Sequence, residues 1–253
     1  MPKGPSAAAA AAATAEAATL SAVPMLDNPL SRGISLGRVA ALLGLLAWRF
    51  DDLVAEPAAA LQAALPAVAA AQAAYLVLCV PGGGAQQGRC RKPRPGEKKK
   101  PETASPSAIV TAVLALVLSA MAVPAIHVLL VLFGAPFLDL VPNTLLLAAH
   151  FSLLGVFPVL YARGLDAQAL MAVAGCAAPL DETVGALLGA GLGAWLGAVP
   201  IPLDWDRDWQ RWPVTIVCGM YAGSCVGSLV GGTVLYGATF GESAGSGGSS
   251  KDE

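Results

Sequence analysis

Residues 108–133, AIVTAVLALVLSAMAVPAIHVLLVLF, contain no Asp, Glu, Lys or Arg. A bilayer core of ~30 Å is crossed by about 20 mostly apolar residues in an α-helix, and only a helix or a closed barrel satisfies every backbone polar group there. Three more runs behave alike, at 138–161, 184–201 and 214–238. Two weaker ones precede them. Residues 34–50 carry Arg38 near their start, and 58–80 are alanine-heavy with Gln62, Pro66 and Gln72. The sequence therefore predicts an all-α, polytopic membrane protein of about six transmembrane helices. Composition agrees: 56% of the 253 residues are hydrophobic and 13% charged, against roughly 25% charged in soluble domains. Five cysteines form no C-x-x-C pair or His/Cys cluster, so neither a disulfide framework nor a zinc site is expected. No nucleic-acid partner is expected either.

Between and around the runs the chain changes character. Residues 1–33 read as a disordered Ala-rich tail; AAAAAAATAEAATLSA has the outline of a secretory signal, but alanine is a weak apolar segment and Glu16 interrupts it. Helices 1 and 2 occupy 34–80, a basic Gly/Pro-rich linker 81–107, a four-helix core 108–238, and a flexible tail 239–253. With the N-terminus in the cytosol, that side holds Lys3, Arg32, Arg38, the seven bases of 89–100, Arg163 and Lys251, against Arg49, Arg207 and Arg211 opposite. Twelve against three predicts cytosolic termini and a lumenal or exterior loop at 199–213.

The last two runs carry glycine ladders: Gly185, Gly189, Gly193 and Gly197 in one, and Gly219, Gly223, Gly227 and Gly231 in the other. A step of four advances about 40° on a helix of ~3.6 residues per turn, so each ladder is a smooth, slowly winding groove. In lipid, small residues at this spacing let backbones touch. The two grooves are expected to pack on each other, or in part on a helix of another protein. Leucine in the ladder should break the contact, with alanine much milder.

Between the ladders, AVPIPLDWDRDWQRWP concentrates charge and indole. Pro200 and Pro202 end the first helix and Pro213 suits the start of the next. Trp205, Trp209 and Trp212 fall at i, i+4 and i+7, which predicts an interfacial helix over 204–212 with Trp195 just inside the preceding span. Asp208 with Arg211, and Asp204 with Arg207, are spaced to pair. The D-x-D-x-D opening of Asp204, Asp206 and Asp208 is not a calcium loop, because Trp209 stands where glycine and Thr215 where glutamate are required. The short D-x-D also matches metal-dependent glycosyltransferases, a pattern common by chance; no metal or cofactor is expected. His127, Asp139 and His150 are the ionisable groups read as intramembrane contacts, Asp139 in a lumenal turn and His150 hydrogen-bonded to a neighbouring helix. No G-x-S-x-G, no Ser/His/Asp set and no phosphate loop is present, and no catalytic residue is assigned.

HVLLVLFGAPFLDLVPNTLLLA (127–148) and GAWLGAVPIPLDWDRDWQRWPV (193–214), the latter continuing through the second ladder, resemble the PIG-F family of glycosylphosphatidylinositol (GPI) anchor biosynthesis. The resemblance covers about 108–238. It implies a six-span endoplasmic reticulum protein, the non-catalytic partner that stabilises the ethanolamine phosphate transferases acting on GPI mannoses; the family supplies no catalytic residues. The Ala-rich tail and long basic linker depart from its compact form. A reading of a different class is a small membrane lipid-phosphotransferase or transporter using Asp139, His127 and the acids of 204–208.

Overall fold

The computed structural model describes residues 21–26, 28–82, 107–203 and 205–239. The expected N-terminal tail up to residue 20, most of the basic linker, Asp204 and nearly all of the C-terminal tail lie outside them. All regular structure among the described residues is helical: α1 (Pro29–Trp48), α2 (Phe50–Ala55), α3 (Pro57–Cys79), α4 (Ala108–Leu132), α5 (Val141–Phe151), a π-helical turn (Ser152–Val156), α6 (Phe157–Arg163), α7 (Ala167–Ala174), α8 (Glu182–Ala198) and α9 (Val214–Gly232). This is a polytopic helical membrane protein. α1, α3, α4, the continuous segment Val141–Arg163 and α9 are long and apolar enough to cross a bilayer. α8, at 17 residues, rises about 25 Å, near the short end of the spanning range.

Side-chain caps set the starts of α1, α4, α7 and α8. Asn28 accepts the Leu30 N–H and Pro29 fills the first helical position, so α1 begins at Pro29. Residues 29–33, expected in the tail, are therefore helical. Arg38 consequently lies at mid-helix instead of near a helix start. Ser107 caps α4 and Asp181 caps α8.

The chain runs up and down between two ends. At the linker end, α1 begins where α3 stops, with Leu26 N–H donating to the Cys79 carbonyl (2.9 Å), and α8 begins where α9 stops, with Leu180 and the 237–238 backbone exchanging two bonds. The opposite, tryptophan end holds the 199–213 loop. Segment Val141–Arg163 is the centre of the bundle, with most of its residues buried, while α4 is the rim, where only Ala112, Ala115 and Ser119 are buried. Tyr75, Phe157, Tyr161, Leu154 and Met220 fill the interior.

The π turn has local consequences. The Leu153 carbonyl accepts from Gln72 Nε2 (3.2 Å) and the Leu154 carbonyl from Ser224 Oγ (3.4 Å). Side chains of α3 and α9 thus supply donors to a widened stretch of backbone.

The interfacial helix expected over 204–212 does not form. Asp206 is in the left-handed region at φ 47°, Arg207 is extended, and one 3-10 turn, Asp208–Gln210, remains. Gln210 accounts for this: its amide donates to the Pro200 and Leu203 carbonyls (2.7 and 2.8 Å) and its oxygen accepts from Arg207 N–H (2.9 Å). A side chain closes the loop where helical backbone bonds would otherwise run.

Candidate functional site: the glycine seam and the polar network beside it

α8 and α9 run antiparallel and make the most extensive contact of the bundle. A Cβ built on Gly185 would lie 2.2 Å from the Gly227 carbonyl oxygen, on Gly189 2.1 Å from that of Gly223, and on Gly193 2.0 Å from that of Gly219. The reverse set agrees: Gly219, Gly223 and Gly227 each place a Cβ 2.1 Å from the carbonyl oxygen of Gly193, Gly189 and Gly185. Gly197 meets the Thr215 backbone and Gly231 that of Asp181. Real Cβ contacts essentially never fall below 3.0 Å, so no other residue type fits without moving a helix. Alanine is as excluded as leucine. The milder outcome expected for alanine from the sequence is therefore replaced by a severe one, because the obstacle is backbone.

Beside the seam lies a polar network assembled from four helices. Arg38 of α1 donates from Nη1 to Gln72 Oε1 of α3 (3.0 Å) and from Nη2 to Ser228 Oγ of α9 (2.6 Å), and its guanidinium sits 3.9 Å over the Tyr75 ring. The Tyr75 hydroxyl donates to Glu182 of α8, which also accepts from Ser35 Oγ at 3.2 Å. At the linker end, Arg163 Nη2 pairs with Asp181 Oδ2 at 2.6 Å with both side chains buried. The other Asp181 oxygen caps α8 through the Thr183 and Val184 N–H groups (2.9 and 3.0 Å) and the Thr183 hydroxyl (2.7 Å). Sequence reasoning missed this network. A signal existed: Ser31, Ser35, Arg38 and Leu42 are the buried residues of α1 and recur every three to four positions, so one polar stripe faces inward.

The residues singled out from sequence fall in separate places. His150 is buried between the Leu61 carbonyl (Nε2, 3.0 Å) and the Tyr221 hydroxyl (Nδ1, 2.7 Å). His127 is half-buried on α4 and Asp139 is exposed in the 133–140 link. No hydrogen bond or ion pair among the described residues joins the three. In the tryptophan loop, Trp205 and Trp209 rings lie 5.8 Å apart, Trp212 Nε1 donates to Thr144 Oγ1 (3.1 Å), and Trp195 is exposed on α8. Pro200 is half-buried, Pro202 exposed, and Asp206 and Asp208 exposed, with Asp208 paired to Arg211 at 2.9 Å. Asp204, and with it the Asp204–Arg207 pair, lies outside the described residues. Among the described residues no three His, Cys, Asp or Glu side chains gather as metal ligands.

Residues 38–232 match the family model described as GPI biosynthesis protein family Pig-F. The chain belongs to this family. The matched range starts at Arg38 and ends at Gly232, enclosing both ladders and every member of the network except Ser35. Relatives carry the same association. The chain is 48% identical over 224 residues to glycosylphosphatidylinositol anchor biosynthesis protein 11 of Neurospora crassa, covering 88% of this chain and 82% of that one. It is 47% identical over 177 residues to the protein of that name in Pyricularia oryzae, covering 70% and 66%, and 36% identical over 236 residues to that of Aspergillus fumigatus, covering 79% and 78%. No solved structure matches the chain. This Pig-F family member is thus a bundle of apolar helices with one glycine seam and a buried polar network among its described residues, and its place is in GPI biosynthesis at a membrane.

Proposed function

We propose that this protein is a non-catalytic membrane subunit that stabilises the GPI ethanolamine phosphate transferases at the endoplasmic reticulum membrane, where ethanolamine phosphate is added to GPI mannoses. One observation carries the reading: the buried charged side chains of the bundle are engaged by its own helices and caps, and apolar surface is turned outward. Arg38, Gln72, Glu182, Arg163, Asp181 and His150 all contact neighbouring helices or caps of the same chain. α4 offers Val113, Val117, Met121 and Val128 on its exposed side. Surface of this kind suits packing against a larger membrane domain, where van der Waals contact is the main force between apolar helices. Family membership and the names of the relatives support the pathway. With Arg38 withdrawn into the bundle, eleven bases against three still favour cytosolic termini and a lumenal tryptophan end.

The experiment is a pull-down of the full chain from membranes in mild detergent, with an activity assay on the purified protein. A transferase catalytic subunit should co-purify, its abundance should fall when this protein is deleted, and the protein alone should transfer no ethanolamine phosphate. Transfer by the protein alone would establish the lipid-phosphotransferase reading in its place.

A further inference from the structure

Residues 21–26 form no helix, yet they tie together the helix ends that meet at the linker side of the bundle. The Val23 N–H donates to Asp181 Oδ2 (3.1 Å), just ahead of α8. The Leu26 N–H donates to the Cys79 carbonyl (2.9 Å), at the end of α3. The Tyr236 hydroxyl, beyond α9, donates to the Ala22 carbonyl (3.4 Å). We propose that this segment is a releasable strap. Latched, it fastens α1 and α3 to α8 and α9 and walls the cavity between them; released, it opens the linker end and uncovers Cys79.

The position of the segment decides what it controls. α1 packs more extensively on α3 than on α9, and α8 is joined to α9 along the glycine seam. Between these two pairs lies a cavity of about 520 Å³, with Leu36 of α1 on one side, Leu229 of α9 on another, and Pro24, Met25 and Leu26 of the strap on a third. Deeper in, the pairs are joined by the Arg38–Ser228 bond and by the Ser35 and Tyr75 hydroxyls on Glu182. None of those bonds uses a residue of the strap, so its release opens one end and leaves the polar network in place.

The strap is also the least anchored element there. Pro24 has no N–H to give, and Val23, 5% exposed, is the one buried residue of the six. Opening it gives up one buried apolar side chain and a few hydrogen bonds, whereas opening a helix gives up a whole ladder. Segments with few buried apolar contacts open locally, well below the free energy of global unfolding. The latch points themselves are sound. Val23 meets a carboxylate, a charge-assisted bond, and Leu26 fills one of the carbonyls that a helix C-terminus leaves unpaired. Cys79 reports on the state of the strap: it shares a buried cluster with Val23, and its fully buried thiol donates to the Ser31 carbonyl at 3.5 Å. The device does not depend on which enzyme the protein accompanies.

The test treats the full chain, purified in mild detergent, with a maleimide and locates the labelled cysteines by peptide mass spectrometry; hydrogen exchange follows the strap amides. Well below the melting midpoint, the Val23 and Leu26 N–H groups should exchange at least about tenfold faster than the amides in the middle of α1. Val23→Ser should raise the labelling rate of Cys79 about tenfold, the effect of giving up one buried valine side chain. Tyr236→Phe removes one hydrogen bond from a half-exposed residue, so it folds even if Val23→Ser does not, and should raise that rate about threefold. Exposed Cys176 should label alike in every variant, and Cys218, toward the tryptophan end of α9, should keep its own rate. Strap amides exchanging as slowly as those of α1, or Cys79 labelling unchanged in both variants, would overturn the proposal. So would a joint rise of Cys79 and Cys218, which would show loosening of the whole bundle in place of release of the strap.

Discussion

A single methyl group should separate two glycines of the same helix. A Cβ at Gly193 would lie 2.0 Å from the Gly219 carbonyl oxygen and 3.0 Å from the Gly223 Cα, whereas ordinary contact begins near 3.4 Å. Gly193→Ala therefore forces α8 and α9 apart by about 1 Å or more, and a gap of ~0.5–1 Å already forfeits a quarter to a half of each van der Waals contact across it. Overpacking of this kind costs about 1–3 kcal/mol. At Gly191, two residues earlier on α8, an added Cβ meets nothing within 4 Å. Gly191→Ala should instead stabilise by roughly 0.5–1 kcal/mol through reduced backbone entropy. The assay is thermal unfolding in mild detergent, with abundance of the protein in membranes as a second readout. At ~2–4 °C per kcal/mol for a chain of this length, the midpoints of the two variants should differ by roughly 3–16 °C, with Gly193→Ala below wild type. Gly223→Ala should follow Gly193→Ala. Equal midpoints for Gly191→Ala and Gly193→Ala would refute backbone contact as the basis of the seam.

Asp181→Asn keeps a capping oxygen but removes the carboxylate charge that the buried Arg163 meets at 2.6 Å, so it should lower the midpoint of the same melt clearly; Asp208→Asn breaks an exposed pair and should cost no more than ~1 kcal/mol. Arg38→Met orphans the Gln72 amide oxygen inside the bundle and should cost about 1–3 kcal/mol, read as a lower melting midpoint. Replacing Asp204, Asp206 and Asp208 together by Asn should leave surface display of GPI-anchored proteins substantial, since Asn tolerates the left-handed conformation at Asp206; complete loss with normal complex assembly would favour a catalytic role for these acids. A glycosylation acceptor inserted within 89–100 should stay unmodified, and efficient modification there would reverse the orientation.

Apolar length alone fixed much of this architecture. Residues 108–133 have nowhere to go but a spanning helix, and α4 occupies 108–132. The ladders were equally legible, because a period of four on a helix is a local property that needs no knowledge of the partner. What could not be read is what depends on distance in sequence. Arg38 and Ser228 are 190 positions apart, and Tyr75 and Glu182 are 107 apart; only the stacking of α1, α3, α8 and α9 turns six scattered polar residues into one network. The tryptophan loop fails as a helix for a similar reason. Its i, i+4, i+7 spacing is genuine, but Gln210 finds the Pro200 and Leu203 carbonyls first, and a side-chain bond that completes the loop outweighs a short helix with few backbone bonds of its own. The alanine prediction turns on an even finer point. Sequence spacing says that two glycine faces exist; whether a methyl group fits between them depends on tenths of an ångström between two backbones, and that separation is set by the whole bundle.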